Sequence, residues 1–236
     1  MLIDFEKISP REAYPWLINA INPRPIAWVS TISAAGHTNL APFSFFQGVC
    51  ASPPTVLFTG AVDRHGKKKD SVINVEQVPE FVINVVSYAL RESMNATAAP
   101  LPHGESEFDH FKIATAPSLK VRPPRVAAAP VSLECRLERI VNIGTGPLSA
   151  NVVFGTVVCM HVSEQVLGAD GQIDPRLLDT IGRMGGGQKM RRGLQRSALH
   201  LPPRVPRADL ARAVQAPATK RHVPAAEKEW SRNKNS

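Results

Sequence analysis

A chain of 236 residues that is 43% hydrophobic, 20% charged and 6% aromatic has the make-up of an ordinary globular domain with extensions, which excludes a wholly disordered or membrane-embedded chain. Its net charge of +8 is unevenly placed: residues 188–236 carry 12 Lys and Arg against 3 Asp and Glu, leaving residues 1–187 close to neutral. The folded part therefore lacks the distributed basic face of a nucleic-acid binder, and nucleic acid is not an expected partner.

Ser9 followed by Pro10 predicts the start of a short helix, which Pro15 should limit or kink. Residues 25–33, rich in Ile, Val, Trp and Thr, predict a strand, and residues 34–37 a turn around Gly36. A second strand is expected over 38–46, bent at Pro42, and a third over 55–62 after Ser52, Pro53 and Pro54. Asp70 or Ser71 is placed to cap a helix that ends near Glu76. A strand over 81–87 follows, then a helix over 88–97 with Leu90, Met94 and Ala98 along one face. Residues 99–109 read as a loop. Two longer strands are predicted near 131–143 and 151–163, the first broken near Glu138 by a bulge, with a turn over 144–147 and a last helix over 174–181. Short strands dominate and no long alternating helices appear, so the expected class is mainly β: an antiparallel Greek-key barrel with a few short helices. Residues 1–187 form the expected domain, and 188–236 an expected basic, flexible C-terminal tail without a clear strand.

The three cysteines, Cys50, Cys135 and Cys159, form no pairing framework, and the seven histidines are scattered singly, so neither a disulfide scaffold nor a metal site is expected. Residues 1–7 contain acids and no apolar stretch, and the longest apolar run, near 152–162, is about half the ~20 residues of a spanning helix. No membrane association and a cytoplasmic location are the resulting expectations.

Three segments carry polar groups suited to a flat, phosphorylated ligand. The first holds Arg24, Pro25, Trp28, Val29, Ser30 and Thr31; alternation puts Trp28 and Ser30 on one face and Val29 and Thr31 on the other. It suits a flavin slot and a packed strand equally. The second holds Asn39, Ala41, Pro42, Phe43 and Ser44, where a proline in a strand frees backbone groups for a ligand; a barrel corner packed by phenylalanines fits it as well. In the third, Lys67, Lys68 and Lys69 run into a helix start at Asp70 and Ser71, where free N–H groups and the positive dipole end favour a phosphate; a solvated basic loop is the other reading. No nucleophile motif, dinucleotide loop or phosphate-binding Walker loop is present, and no catalytic side chain is assigned.

Taken together and in order, these segments resemble the flavin reductase-like, FMN-binding split-barrel family, above all the reductase components of two-component monooxygenases of the nitrilotriacetate type. The matching stretches also include residues 94–100, Glu107 with Phe108, residues 121–126, residues 133–135 and residues 181–186, so the resemblance spans about 8–187. It implies a homodimeric split barrel that takes FMN, or FAD, and uses NADH or NADPH to reduce it, with a monooxygenase component as a possible receiver of reduced flavin. It further implies that Arg24, Ser30, Thr31, Lys69 and Ser71 lie near the flavin ribityl-phosphate. Trp28 and the segment 39–44 would flank the ring, Asn95 would come from the other subunit, and Arg183 would sit near the site mouth. After Gly187 the sequence departs from the family: Gln188, Lys189, Met190, Arg191 and Arg192 stand where relatives carry a Tyr-Ala/Ser-Arg type segment. That departure bears on reductase activity more than on flavin binding.

Overall fold

In the computed structural model, which describes residues 1–102, 104–185 and the backbone of 194–196, the chain opens with helix α1 (Pro10–Ala20). Ser9 caps it reciprocally: its Oγ accepts the Glu12 N–H at 3.3 Å, and its own N–H donates to the Glu12 carboxylate at 2.8 Å. Pro15 lies inside α1 without ending it. The hydrogen bond it forfeits is that of the carbonyl four residues back, on Arg11, in the exposed first turn.

Strand β1 (Arg24–Pro25) leads into β2 (Ala27–Ile32), and a turn with Gly36 at φ +89° returns the chain as β3 (Thr38–Phe43). Next come β4 (Phe46–Ala51), β5 (Pro54–Ala61), α2 (Asp70–Gln77), β6 (Glu80–Val85), α3 (Arg91–Ala96) and α4 (Glu107–His110). They are followed by β7 (Thr115–Ala116), β8 (Arg125–Val126), β9 (Val131–Ile143), β10 (Ala150–Val162), α5 (Pro175–Leu178), β11 (Ile181–Arg183) and β12 (Leu194–Arg196).

Seven strands form one antiparallel sheet in the order β3-β2-β6-β9-β10-β5-β4. Its two edges, β3 and β4, are consecutive in the chain, joined through Ser44 and Phe45. The Phe45 carbonyl accepts the Thr59 N–H at 2.9 Å, and the Phe43 ring lies 4.9 Å from that of Phe58 on β5, so the sheet closes on itself as a barrel. The bend falls two residues beyond Pro42, which stays within β3; on an edge strand a residue without an N–H interrupts no ladder when it faces the unpaired side. Strand β4 has no counterpart among the sequence expectations. Nearly all of it is exposed, so it lacks the alternation that marks a half-buried strand.

Two apolar clusters lie on opposite faces of β2. Val29, Phe43, Phe58, Val72, Phe81 and Val153 belong to the barrel interior, whereas Ile26, Trp28, Leu40, Met94, Phe108 and Ile181 pack outside it. Because β2 is buried on both sides, Ala27, Trp28, Val29, Ser30 and Thr31 are all buried and show no polar-apolar alternation. β1 and β11 pair in a small second sheet that β12 joins, so one three-residue strand does lie beyond residue 188; the rest of the expected tail lies outside the described residues. Among the described residues no helix is long and apolar enough to cross a membrane.

The bulge expected near Glu138 is present. Phe154 pairs with Arg139 and Gly155 with Leu137, leaving Glu138 unpaired. Gly155 lets Phe81 fill the space beside the bulge: a Cβ there would stand 2.3 Å from Phe81 Cζ and 3.3 Å from the Arg136 carbonyl oxygen. Phe81 is fully buried and packs edge-on against Phe58 at 5.3 Å, so it has little room to yield. Gly155→Ala is expected to cost about 1–3 kcal/mol by overpacking. Urea denaturation of Gly155→Ala, Phe81→Leu and the double variant checks this; the double variant should be less destabilised than the sum of the two singles.

Candidate functional site

The interior face of β2 ends at Thr31, and β3 places Asn39 directly opposite. Helix α2 lies across this end of the barrel. Its Val72 and Val75 enter the interior core, and its Ser71 and Asn74 meet the strand ends. Asn39 Nδ2 donates to Ser71 Oγ at 2.8 Å, and Asn74 Nδ2 donates to Thr31 Oγ1 at 3.0 Å. All four side chains are buried. Asn74 was not singled out from the sequence, yet its place three residues after Ser71 puts the two on one helix face.

The residue before α2 is Lys69, and no side chain caps the helix start. Lys69 is exposed and forms no salt bridge among the described residues, whereas Lys67 pairs with Asp70 at 3.7 Å and Lys68 with Glu76 at 2.5 Å. Asp63 holds the preceding loop by accepting the backbone N–H groups of His65 at 2.7 Å and Lys67 at 2.8 Å. A cleft of about 400 Å³ opens beside this helix start, bordered by Thr38, Asn39, Asp70, Asn74, His37 and Glu105 among others.

The remaining sequence-predicted residues do not join this cluster. Ser30 faces the outer side of β2 and donates to the Pro124 carbonyl, and Trp28 is fully buried with its Nε1 donating to Thr97 Oγ1 at 2.9 Å. Val29 and Phe43 belong to the interior core, with Ala41 packed against it; Pro42 and Ser44 are half-buried, and Pro25 is exposed. Asn95 is exposed on α3, next to the buried Met94.

Arg24 sits on β1, beyond the far end of β2 and on the order of 20 Å from Thr31 at roughly 3.3 Å per residue. Its Nη1 donates to the Ile18 carbonyl at 2.7 Å and the Ile21 carbonyl at 3.0 Å, supplying the cation that the last turn of α1 lacks. Arg24 is buried, its Nε has no partner among the described residues, and Arg183 stands directly opposite in the β1–β11 register. Burial first, and then the Arg183 charge, press the Arg24 pKa downward.

Behind the cleft, Glu107 closes the outer edge of β3. Its Oε2 accepts the Leu40 N–H at 2.8 Å, and the neighbouring Ser106 and Thr38 hydroxyls meet at 2.7 Å. Burial raises the Glu107 pKa above its ordinary 4.5, although the Leu40 N–H pulls the other way.

A family model for the flavin reductase like domain matches residues 20–185. An uncharacterized protein of Halalkalibacterium halodurans is 35% identical over 190 residues, spanning 80% of this chain and 90% of its own. Among solved structures, nitrilotriacetate monooxygenase component B from Bacillus cereus is 30% identical with a TM-score of 0.74, covering 79% of this chain and 92% of that one. The 2-nitrobenzoate 2-nitroreductase NbaA of Pseudomonas fluorescens is 25% identical with a TM-score of 0.73, covering 87% of this chain and 98% of that one.

The raised Glu107 carboxyl has a pH signature. Its native state holds a proton that the unfolded chain releases near 4.5, so its contribution to stability is complete below that value and declines as pH rises through the native pKa. Glu107→Gln keeps an acceptor for Leu40 and does not titrate. Urea denaturation from pH 4 to pH 8 should therefore show wild type losing stability relative to Glu107→Gln as pH rises; a difference moving the other way contradicts the assignment.

Proposed function

The chain belongs to the flavin reductase-like family, and we propose that it is an NAD(P)H-dependent flavin reductase that takes FMN, or FAD, at the α2 end of its barrel. One observation carries this reading: an uncapped helix start beside an exposed lysine and a buried set of hydroxyl and amide groups, opening on a cleft. That donor set fits a phosphorylated ligand. The N–H groups at the start of α2 and the Lys69 ammonium offer fixed positive charge to a phosphate, and Thr31, Asn39, Ser71 and Asn74 hold that helix start in place.

A bound flavin would supply the redox chemistry, with the nicotinamide nucleotide as the proposed reductant. The chain's own share is binding, orientation and exclusion of water, and no acid–base side chain is required of it. Asn39 borders the cleft, and the segment from Asn39 to Ser44 that leads away from it is the proposed flank of the ring. Arg24 and Arg183, directly opposite each other in the β1–β11 register, bring two cations to the other end of the barrel and are the proposed contact for an anionic group of the nicotinamide nucleotide. Asn95, exposed on α3, is assigned to the site of a second subunit, which makes a homodimer part of the proposal. A monooxygenase that consumes reduced flavin and a cytoplasmic location complete it. The likeness to a nitroreductase favours a second reading, in which bound flavin passes electrons to a nitroaromatic acid.

The test is an absorbance titration of the purified chain with FMN and FAD, followed by NADH or NADPH without oxygen. Flavin bleaching at a rate well above that of free flavin supports the reductase. Bleaching that reverses on adding 2-nitrobenzoate, with loss of the nitro compound, supports the second reading. Saturable binding without bleaching reduces the protein to a flavin-binding module, and no binding removes the proposal. Lys69→Ala and Ser71→Ala should each weaken FMN binding by about tenfold, the equivalent of ~1.4 kcal/mol, as read by quenching of flavin fluorescence.

A further inference from the structure

On the far side of the sheet, β9 and β10 bring three ligand types to one point. A bulge between Val157 and Cys159 leaves Val158 unpaired, so that Cys159 rather than Val158 stands opposite Glu134. Strand alternation then puts His161 on the same face as Cys159. His161 Nε2 lies 2.5 Å from Glu134 Oε1 and 3.9 Å from Cys159 Sγ, and the three ligand atoms all fall within 4.8 Å of one another. In the linear sequence nothing marks the group, because Glu134 is 25 positions before Cys159.

We propose that Glu134, Cys159 and His161 form a binding site for a borderline-soft divalent transition-metal ion, of the Zn²⁺ or Co²⁺ type. The donor set of one thiolate, one imidazole and one carboxylate matches that class and disfavours Mg²⁺ or Ca²⁺. A thiolate and a carboxylate balance a divalent charge, and three protein ligands leave a fourth position for water. Tetrahedral coordination places such ligand atoms about 3.3–3.7 Å apart. The Nε2 and Oε1 atoms must therefore separate by slightly under ~1 Å as the metal replaces the proton between them, while the Cys159 Sγ, 3.9 Å from Nε2, must draw in by a few tenths of an ångström.

The carboxylate is held for this role. Leu119 and Lys120 donate their backbone N–H groups to its two oxygens at 2.8 and 2.6 Å, orienting it as outer partners orient a metal ligand. Burial pushes the Glu134 carboxyl up, but those N–H groups and His161 outweigh it and keep it below the usual range. Cys159 and His161 are only partly covered, so an ion can reach them from solvent. The site is separate from the flavin reading and stands without it.

The test uses the full chain carrying Cys50→Ser, which removes the exposed thiol and leaves Cys159 and the buried Cys135. Co²⁺ is titrated and followed by difference absorbance. The expected result is a thiolate-to-cobalt charge-transfer band that saturates at one equivalent and is bleached by Zn²⁺. Adding Cys159→Ser should abolish the band, and His161→Gln should weaken Co²⁺ binding by about tenfold or more. Circular dichroism verifies the fold of each variant; should His161→Gln fail to fold, the Cys159→Ser result decides. No charge-transfer band, or a band that survives Cys159→Ser, overturns the site and leaves the three side chains as a hydrogen-bonded clamp on the Leu119–Lys120 loop.

Discussion

Strand β2 is buried on both faces, one against the barrel interior and the other against the helices and loops outside it, and a strand so placed has no water to satisfy its polar side chains. Each must find a protein partner. Trp28 finds Thr97, Ser30 finds the Pro124 carbonyl, and Thr31 finds Asn74. These bonds reach across 69, 94 and 43 residues of chain, so they tie the strand to α3, to the 115–126 segment and to α2 respectively. An unpaired group at any of the three would cost about 1–3 kcal/mol, enough to make the partners part of the fold's specification.

The same demand produces the candidate flavin site. Where β2 and β3 run out at Thr31 and Asn39, the polar groups that close the barrel belong to α2, and they fix where the start of that helix points. The helix start itself receives no side-chain cap. The fold thus satisfies the buried side of the junction completely and leaves donors on its open side, the arrangement that an anionic ligand at a helix terminus exploits.

The β9–β10 hairpin uses irregularity in a comparable way. Its two bulges shift the register by one residue each, in opposite strands. The first, at Glu138, makes room beside Gly155 for the Phe81 ring; the second, at Val158, turns Cys159 toward Glu134. In a straight ladder Cys159 would stand opposite Leu133, and its thiol and the Glu134 carboxylate would point to opposite faces.

Elements whose signals are local can be read directly from the order of residues. The Ser9 cap, the turn at Gly36, the bulge at Glu138 and the bounds of β9 are all legible because a cap, a glycine or a period-2 face is written within a few neighbouring residues, whereas the helix expected over 174–181 is only Pro175–Leu178 because Ile181 pairs into β11. The ordered set of short motifs was enough to carry the family. Which faces of those elements meet emerges only on folding. It turned Ser30 and Trp28 away from Thr31, committed Arg24 to the end of α1, added Asn74 to the site, revealed the exposed strand β4 and gathered Glu134, Cys159 and His161. Each of these depends on register or closure between segments distant in the chain, and such contacts are fixed by the packing of the whole barrel rather than by any residue's neighbours.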